Sequence, residues 1–135
     1  MKFEDFGSLS VITTLALSSL PIEGSLVRII GTQEENSFVD YSLVTDVDGI
    51  SEKILLPAPS KSYSLAPSAA EIPYALYRVE VRNKGFFTKV IENVAIFSGV
   101  TTYLPVNMIP SSIHENNSEY PRNTLDTFIK ENENL

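Results

Sequence analysis

The stretch YSLVTDVDGISEKILLPAP, from Tyr41 to Pro59, decides the fold class. It holds two strand-like runs, 41–45 and 52–56, on either side of the turn signal Asp46-Val47-Asp48-Gly49. An Asp-Gly pair between apolar runs is a strong hairpin signal. The sequence therefore predicts that the two runs pair as a β-hairpin, with the rest of the chain arranged around it as strands.

Alternating apolar and polar residues extend the strand pattern along the chain. Strands are predicted at Ser8–Leu17, Ser25–Gly31, Phe38–Thr45, Lys53–Leu56, Tyr74–Asn83, Phe86–Ile96 and Thr101–Ile109. The sixth is expected to break near Glu92-Asn93, and Pro105 favours an edge position or a bulge for the seventh. Seven short strands with regular turn signals predict an all-β fold, a seven-stranded antiparallel β-sandwich of the immunoglobulin or prealbumin type.

The same pattern predicts which residues form the core and where the sandwich ends. The inward-facing residues are expected to be Leu9, Val11, Val27, Ile29, Tyr41, Leu43, Tyr77, Val79, Val81, Ile96, Leu104 and Val106. We divide the chain into a polar N-terminal extension (1–7), the sandwich (8–110) and a polar C-terminal extension (111–135). The C-terminal extension includes a predicted short helix, Thr124–Lys130, with Asn123 as its N-cap.

Composition excludes several classes of function. The chain has 135 residues, a net charge of −7 and no cysteine, which opposes binding to nucleic acid or to an anionic membrane and removes disulfides and thiolate chemistry. The N-terminus lacks the apolar core of a signal peptide, and the apolar run 9–20 is too short to span a bilayer. We therefore expect synthesis in the cytoplasm.

The sequence contains no motif that predicts catalysis. His114, its single histidine, lies in the polar C-terminal extension, and no G-x-S-x-G nucleophile motif is present. Asp46 and Asp48 have only Glu52 nearby, which falls short of the oxygen ligands that Ca²⁺ requires. We predict an ordinary turn at this point, and a protein that is not an enzyme and uses no metal or cofactor.

An ordered set of motifs resembles a known family. In chain order these are LSV (9–11), LPIEGSLVRI (20–29), TDVDG (45–49), LPAP (56–59), YALYRVEVRNKGF (74–86), NVAIFSGVTT (93–102) and LPVNMIP (104–110). The set resembles the carboxypeptidase-regulatory-like, or CnaB (transthyretin-like), β-sandwich family. More narrowly, it is similar to the sandwich segment of clostridial spore cortex-lytic and peptidoglycan-binding proteins. The resemblance covers about residues 8–110 and implies the fold, while the sandwich alone implies no lytic activity.

These observations predict a non-catalytic structural or interaction protein, a self-assembling component of a Gram-positive spore or cell-surface layer or appendage. Both extensions carry large apolar residues that a solvating tail does not need. We expect these residues to dock on another subunit and form a homo-oligomer or fibre; they are Phe3, Phe6, Leu125, Phe128 and Ile129.

The alternative function is a small glycan- or peptidoglycan-binding module. Aromatic side chains can stack on sugar rings, and the candidates for such a platform are Tyr63, Tyr74, Tyr77, Tyr103, Phe86, Phe87 and Phe97. Packing in the core or at its rim is the competing explanation for these residues.

Overall fold

The computed structural model describes residues 2–60 and 73–111, which form two β-sheets packed face to face. The elements are β1 (Asp5–Leu15), β2 (Leu26–Gly31), a 3-10 turn (Glu34–Asn36), β3 (Asp40–Val44), β4 (Ile54–Ala58), β5 (Ala75–Arg82), β6 (Lys89–Ile96) and β7 (Thr101–Met108). One sheet has the strand order β4-β1-β7 and the other β3-β2-β5-β6. The seven strands of these two ranges confirm the predicted β-sandwich.

The predicted hairpin between the third and fourth strands is wrong. β3 pairs with β2, whereas β4 pairs with β1, so residues 45–51 carry the chain from one sheet to the other. The turn itself is tight, because Asp46 Oδ1 accepts hydrogen bonds from the backbone N–H groups of Asp48 (2.9 Å) and Ile50 (3.1 Å). Beyond it, Ser51 N–H donates to Val11 O (2.9 Å), which directs the next strand to β1.

One pair of neighbouring strands, β1 and β7, is parallel, whereas the sequence predicted antiparallel pairing throughout. The other pairs in the described sheets are antiparallel, and each joins an odd-numbered strand to an even-numbered one. Successive strands run in opposite directions, so odd-numbered strands all run the same way. Strands one and seven are therefore parallel once the sandwich places them side by side.

The predicted irregularities in the last two strands are confirmed. Tyr77 pairs with Val94 and Val79 with Ile91, so β6 has one residue more than β5 between these pairs. The extra residue forms a β-bulge at Asn93, whose φ is +57°. β7 is an edge strand, which is where a proline such as Pro105 is tolerated.

The core lies between the sheets and contains most of the predicted residues. Buried as predicted are Leu9, Val11, Val27, Ile29, Tyr77, Val79, Val81, Ile96 and Val106, while Leu43 and Leu104 are partly buried against them. The prediction that Tyr41 is buried is wrong, because its side chain is 38% exposed. It faces inward from an edge strand, where neighbouring strands cover it from one side only. Val39, Leu56, Ala58 and Met108, which are absent from that list of core residues, are also buried.

The structure describes the predicted N-terminal boundary of the sandwich but not the predicted C-terminal helix. β1 begins at Asp5 rather than at Ser8, and Ser98 Oγ donates to Asp5 Oδ2 (2.9 Å) at its start. The predicted helix 124–130 lies outside the described residues, and the division into a sandwich and two extensions stays a prediction. In the part of the chain that the structure describes, no helix is long and apolar enough to cross a membrane.

Substituting Val79 tests the core register. Val79 is fully buried on β5, between Ile29 of β2 and Ile91 of β6. We expect Val79→Ala to lower the free energy of unfolding by about 1–3 kcal/mol, through lost burial and the cavity left behind. Val90→Ala, at a valine that is 52% exposed, should change it by less than about 0.5 kcal/mol. Equal effects of the two variants in urea denaturation would contradict this register.

A buried tyrosine joins the two sheets by a hydrogen bond. The Tyr77 hydroxyl on β5 donates to Pro57 O on β4, at 2.6 Å. Burial raises the pKa of this phenol, because the ionised form loses its water. A folded-state pKa above the unfolded value stabilises the fold at pH values below the unfolded pKa. That stabilisation is lost as the pH rises toward the folded pKa.

The free energy of unfolding should therefore fall above about pH 10, where the phenol ionises in the unfolded chain. Tyr77→Phe should remove this part of the pH dependence. At neutral pH it should lower the free energy of unfolding by about 1–3 kcal/mol, because a buried carbonyl loses its donor. Urea titrations at neutral and alkaline pH measure both effects. Tyr103→Phe, at an exposed tyrosine, is the matched control, and a wild-type pH dependence in Tyr77→Phe would refute the assignment.

Candidate interaction surface

The predicted self-association residues fall into two groups. Phe3 is partly buried against the core, and Phe6 is exposed on β1, where its carbonyl accepts a hydrogen bond from Gly99 N–H (2.9 Å). Both therefore belong to one end of the sandwich. Leu125, Phe128 and Ile129 lie outside the described residues. Docking through the extensions stays a prediction.

The described aromatic residues lie in separate places. Tyr77 is in the core, and Tyr74 packs against Phe97 with ring centroids 5.2 Å apart and planes tilted by 49°. Tyr103 is exposed on β7, with Lys53 Nζ 5.7 Å from its ring centroid. Phe86 is partly buried against the core, Phe87 is exposed, and Tyr63 lies outside the described ranges. Among the described residues, the structure does not bring the rings together into one flat platform.

The acidic turn is organised by its own backbone. Asp46 accepts the two N–H bonds given above, which is the turn role that the sequence predicts. Gly49 adopts a φ of +75°, and a side chain there would collide with Thr13 O. Within residues 2–60 and 73–111, no group of three or more His, Cys, Asp or Glu side chains is placed to hold a metal ion. His114 lies outside these ranges.

The edges of the two sheets differ in how well they are protected against strand addition. An edge strand presents unpaired N–H and C=O groups to other chains, and proteins block it with proline, bulges or charge. In the described sheets, β4 contains Pro57 and is followed by Pro59, β7 contains Pro105, and β6 carries the bulge at Asn93. β3, with the sequence DYSLV, has neither proline, lysine nor a bulge.

Three residues of β3 turn their backbone groups to the open edge. Gly31 N–H donates to Val39 O and Thr45 N–H to Ser25 O, both at 3.0 Å. In an antiparallel strand, the backbone groups of alternate residues face the partner strand. These two bonds show which residues of β3 do so. Residues 39, 41, 43 and 45 therefore face β2. Asp40, Ser42 and Val44 direct their N–H and C=O groups away from the sheet.

Exposed apolar side chains accompany this edge. Phe38 is 70% exposed, Tyr41 38%, Val44 60% and Val47 68%. We call these four residues the β3 strip. Tyr41 faces inward and Val44 outward, because successive side chains of a strand alternate between its two faces, whereas Phe38 and Val47 lie just beyond the two ends of β3. Large exposed apolar side chains at an unprotected edge strand mark an interaction site or an aggregation site.

The charges beside the β3 strip are paired. Arg28 Nε and Nη2 donate to Asp40 Oδ1 and Oδ2, at 2.9 and 2.8 Å, and these hydrogen bonds lower the pKa of the Asp40 carboxyl. Across the same face, Glu80 lies 3.3 Å from Arg78 and 3.5 Å from Arg82. The face is therefore close to neutral, although the chain has a net charge of −7.

Comparison with known proteins finds likeness in fold alone. No family model matches the chain, and no curated protein matches its sequence. Among solved structures, the Bacillus anthracis TIE protein is 16% identical over 79% of this chain, with a TM-score of 0.50. A chain of a type II cohesin–X-dockerin complex from Acetivibrio cellulolyticus is 19% identical over 76%, with a TM-score of 0.46. A DUF3823 family protein from Parabacteroides merdae is 14% identical over 78%, with a TM-score of 0.48.

The present chain spans 17%, 56% and 47%, respectively, of the length of these three chains. In each case the matched fold is a part of something longer. The likeness is one of fold and leaves the family open.

Sequence reasoning missed the β3 edge because it paired that strand with β4. A strand paired on both sides has no free edge, so the predicted hairpin concealed the site. One available signal was the absence of proline, lysine and glycine from Phe38 to Val44. Pro105, by contrast, correctly marked β7 as an edge strand.

Proposed function

We propose that the chain is a non-catalytic structural or interaction protein, a β-sandwich module that binds another polypeptide along β3. The observation that carries this proposal is the unblocked edge at Asp40, Ser42 and Val44, bordered by the exposed β3 strip. In strand addition, backbone hydrogen bonds supply affinity, and alternate side chains supply specificity. The edge offers both, with no charged side chain left unpaired on β3.

We further propose that the module is a self-assembling component of a Gram-positive spore or cell-surface layer or appendage, synthesised in the cytoplasm. The motif resemblance to the sandwich segments of clostridial spore proteins supports this setting. The apolar residues of the extensions supply a second contact region, comprising Phe3, Phe6, Leu125, Phe128 and Ile129. Two different contact regions on one subunit allow growth beyond a closed pair, into an oligomer or fibre.

Sedimentation velocity and light scattering over a range of protein concentrations test this proposal. We expect association that increases with concentration and is weakened by Val44→Lys, because a lysine on an edge strand opposes pairing. Val90→Lys is the matched control, since Val90 is an exposed valine on β6 of the same sheet. Removal of residues 112–135 should separately reduce the formation of assemblies larger than a dimer. A wild-type chain that stays monomeric at every concentration would contradict self-assembly.

Glycan binding is the second candidate, and one feature favours it. Tyr103 is exposed on β7, with the Lys53 ammonium near its ring. An exposed aromatic face with a nearby ammonium donor can hold a sugar ring. Retention of the wild type on immobilised peptidoglycan, lost in Tyr103→Ala and kept in Val44→Lys, would favour this function over polypeptide binding.

A further inference from the structure

The edge-facing residues of β3 are arranged symmetrically about Ser42. If β3 pairs antiparallel with β3 of a second copy, centred on Ser42, then Ser42 lies opposite Ser42 of the second copy. Asp40 then lies opposite Val44 of the second copy, and Val44 opposite its Asp40. Each such pair exchanges two backbone hydrogen bonds, so all the edge-facing groups of β3 gain partners. If the pairing were centred at Tyr41 or Leu43 instead, one of the edge-facing residues Asp40 and Val44 would lie opposite a position outside β3.

The inward-facing side chains fit the same register. Tyr41 lies opposite Leu43 of the second copy, in a position where antiparallel side chains approach closely. Tyr41 is partly exposed and Leu43 partly buried in the single chain. Pairing therefore covers the Tyr41 side chain, which is partly exposed in the single sandwich.

Electrostatics disfavour a register centred on Asp40 and are compatible with the one centred on Ser42. Asp40 is the one charged residue within β3, and Arg28 of its own chain already binds it. With the centre at Ser42, the two Asp40 residues stand four residues apart along the strands, roughly 13 Å. A centre at Asp40 would place the two carboxylates opposite one another, which is unfavourable. The β3 edge is thus self-complementary in backbone hydrogen bonding, and this register keeps the two Asp40 carboxylates apart.

We propose that the polypeptide bound by β3 is a second copy of this chain, paired antiparallel about a two-fold axis at Ser42. The two four-stranded sheets then form one continuous sheet, with the β3 strands at its centre. Because the same patch is used on both subunits, the contact closes on itself as a dimer. This inference rests on the proposed function and names its partner and its geometry.

Cysteine cross-linking tests the geometry directly, because the natural chain has no cysteine. Hydrogen-bonded residues of an antiparallel pair have Cα atoms about 5.5 Å apart, a separation that suits a disulfide. Ser42→Cys should form a disulfide-linked dimer under mild oxidation of dilute protein. Pairing holds its two thiols at a high effective concentration, so oxidation should be at least about tenfold faster than for the control Glu92→Cys on β6.

Two further variants fix the register. Val44→Cys alone should stay monomeric, because its two thiols would lie roughly 13 Å apart along the strands. A mixture of Val44→Cys with Asp40→Cys should give the mixed disulfide, because these positions are opposite one another. Non-reducing electrophoresis measures each product, and far-ultraviolet circular dichroism confirms that each variant is folded.

The outcomes separate this inference from the proposed function. If the wild type associates but Ser42→Cys cross-links no faster than Glu92→Cys, the two-fold pairing is wrong and assembly uses another surface. Cross-linking of Val44→Cys alone would show a different register and also refute the inference. If the wild type is monomeric at every concentration and no variant cross-links, self-assembly fails as well. Rapid Ser42→Cys cross-linking together with the mixed disulfide supports both.

Discussion

A buried cluster of hydroxyl groups at one end of the sandwich holds the two sheets in register, and the architecture depends on it. Thr45 Oγ1 accepts a hydrogen bond from Ser25 N–H (2.9 Å) and donates to Ile22 O (3.0 Å). Thr13 Oγ1, on β1 in the opposite sheet, lies 2.8 Å from the same carbonyl. Because unpaired polar groups are costly in a core, these buried residues fix where the chain crosses between the sheets. That crossing separates β3 from β4 and leaves β3 as an edge.

The sequence predicted those features that depend on local pattern. Period-two alternation located the strands and most of the core around Val79, and the polar pair Glu92-Asn93 located the bulge. It could not predict which strands become neighbours. The Asp46–Gly49 turn was correctly located, yet its geometry is the same whether its arms pair with each other or cross to different sheets. Tyr41 was misplaced for a related reason, because its exposure depends on its strand being at an edge.

The candidate site could not be predicted from the pattern either, since it is a property of strand order. Val44 and Phe38 are ordinary strand residues in the sequence, and they become a surface only once β3 has no neighbour on one side. The paired charges on the outer face have a related effect. Arg28, Arg78 and Arg82 are matched by Asp40, Glu80 and Glu92, so the charges on this face balance locally although the chain has a net charge of −7.

The parallel pairing of β1 with β7 has a mechanical consequence. β1 begins at Asp5 and β7 ends at Met108, and these two residues lie at opposite ends of the paired strands, because Ser8 is beside Thr101 and Leu15 beside Met108. Tension applied between the two chain ends therefore acts along the strands. It loads the hydrogen bonds of this ladder together, in shear, rather than opening them one after another. The sandwich should therefore resist a pull between Asp5 and Met108 through the whole β1–β7 ladder at once.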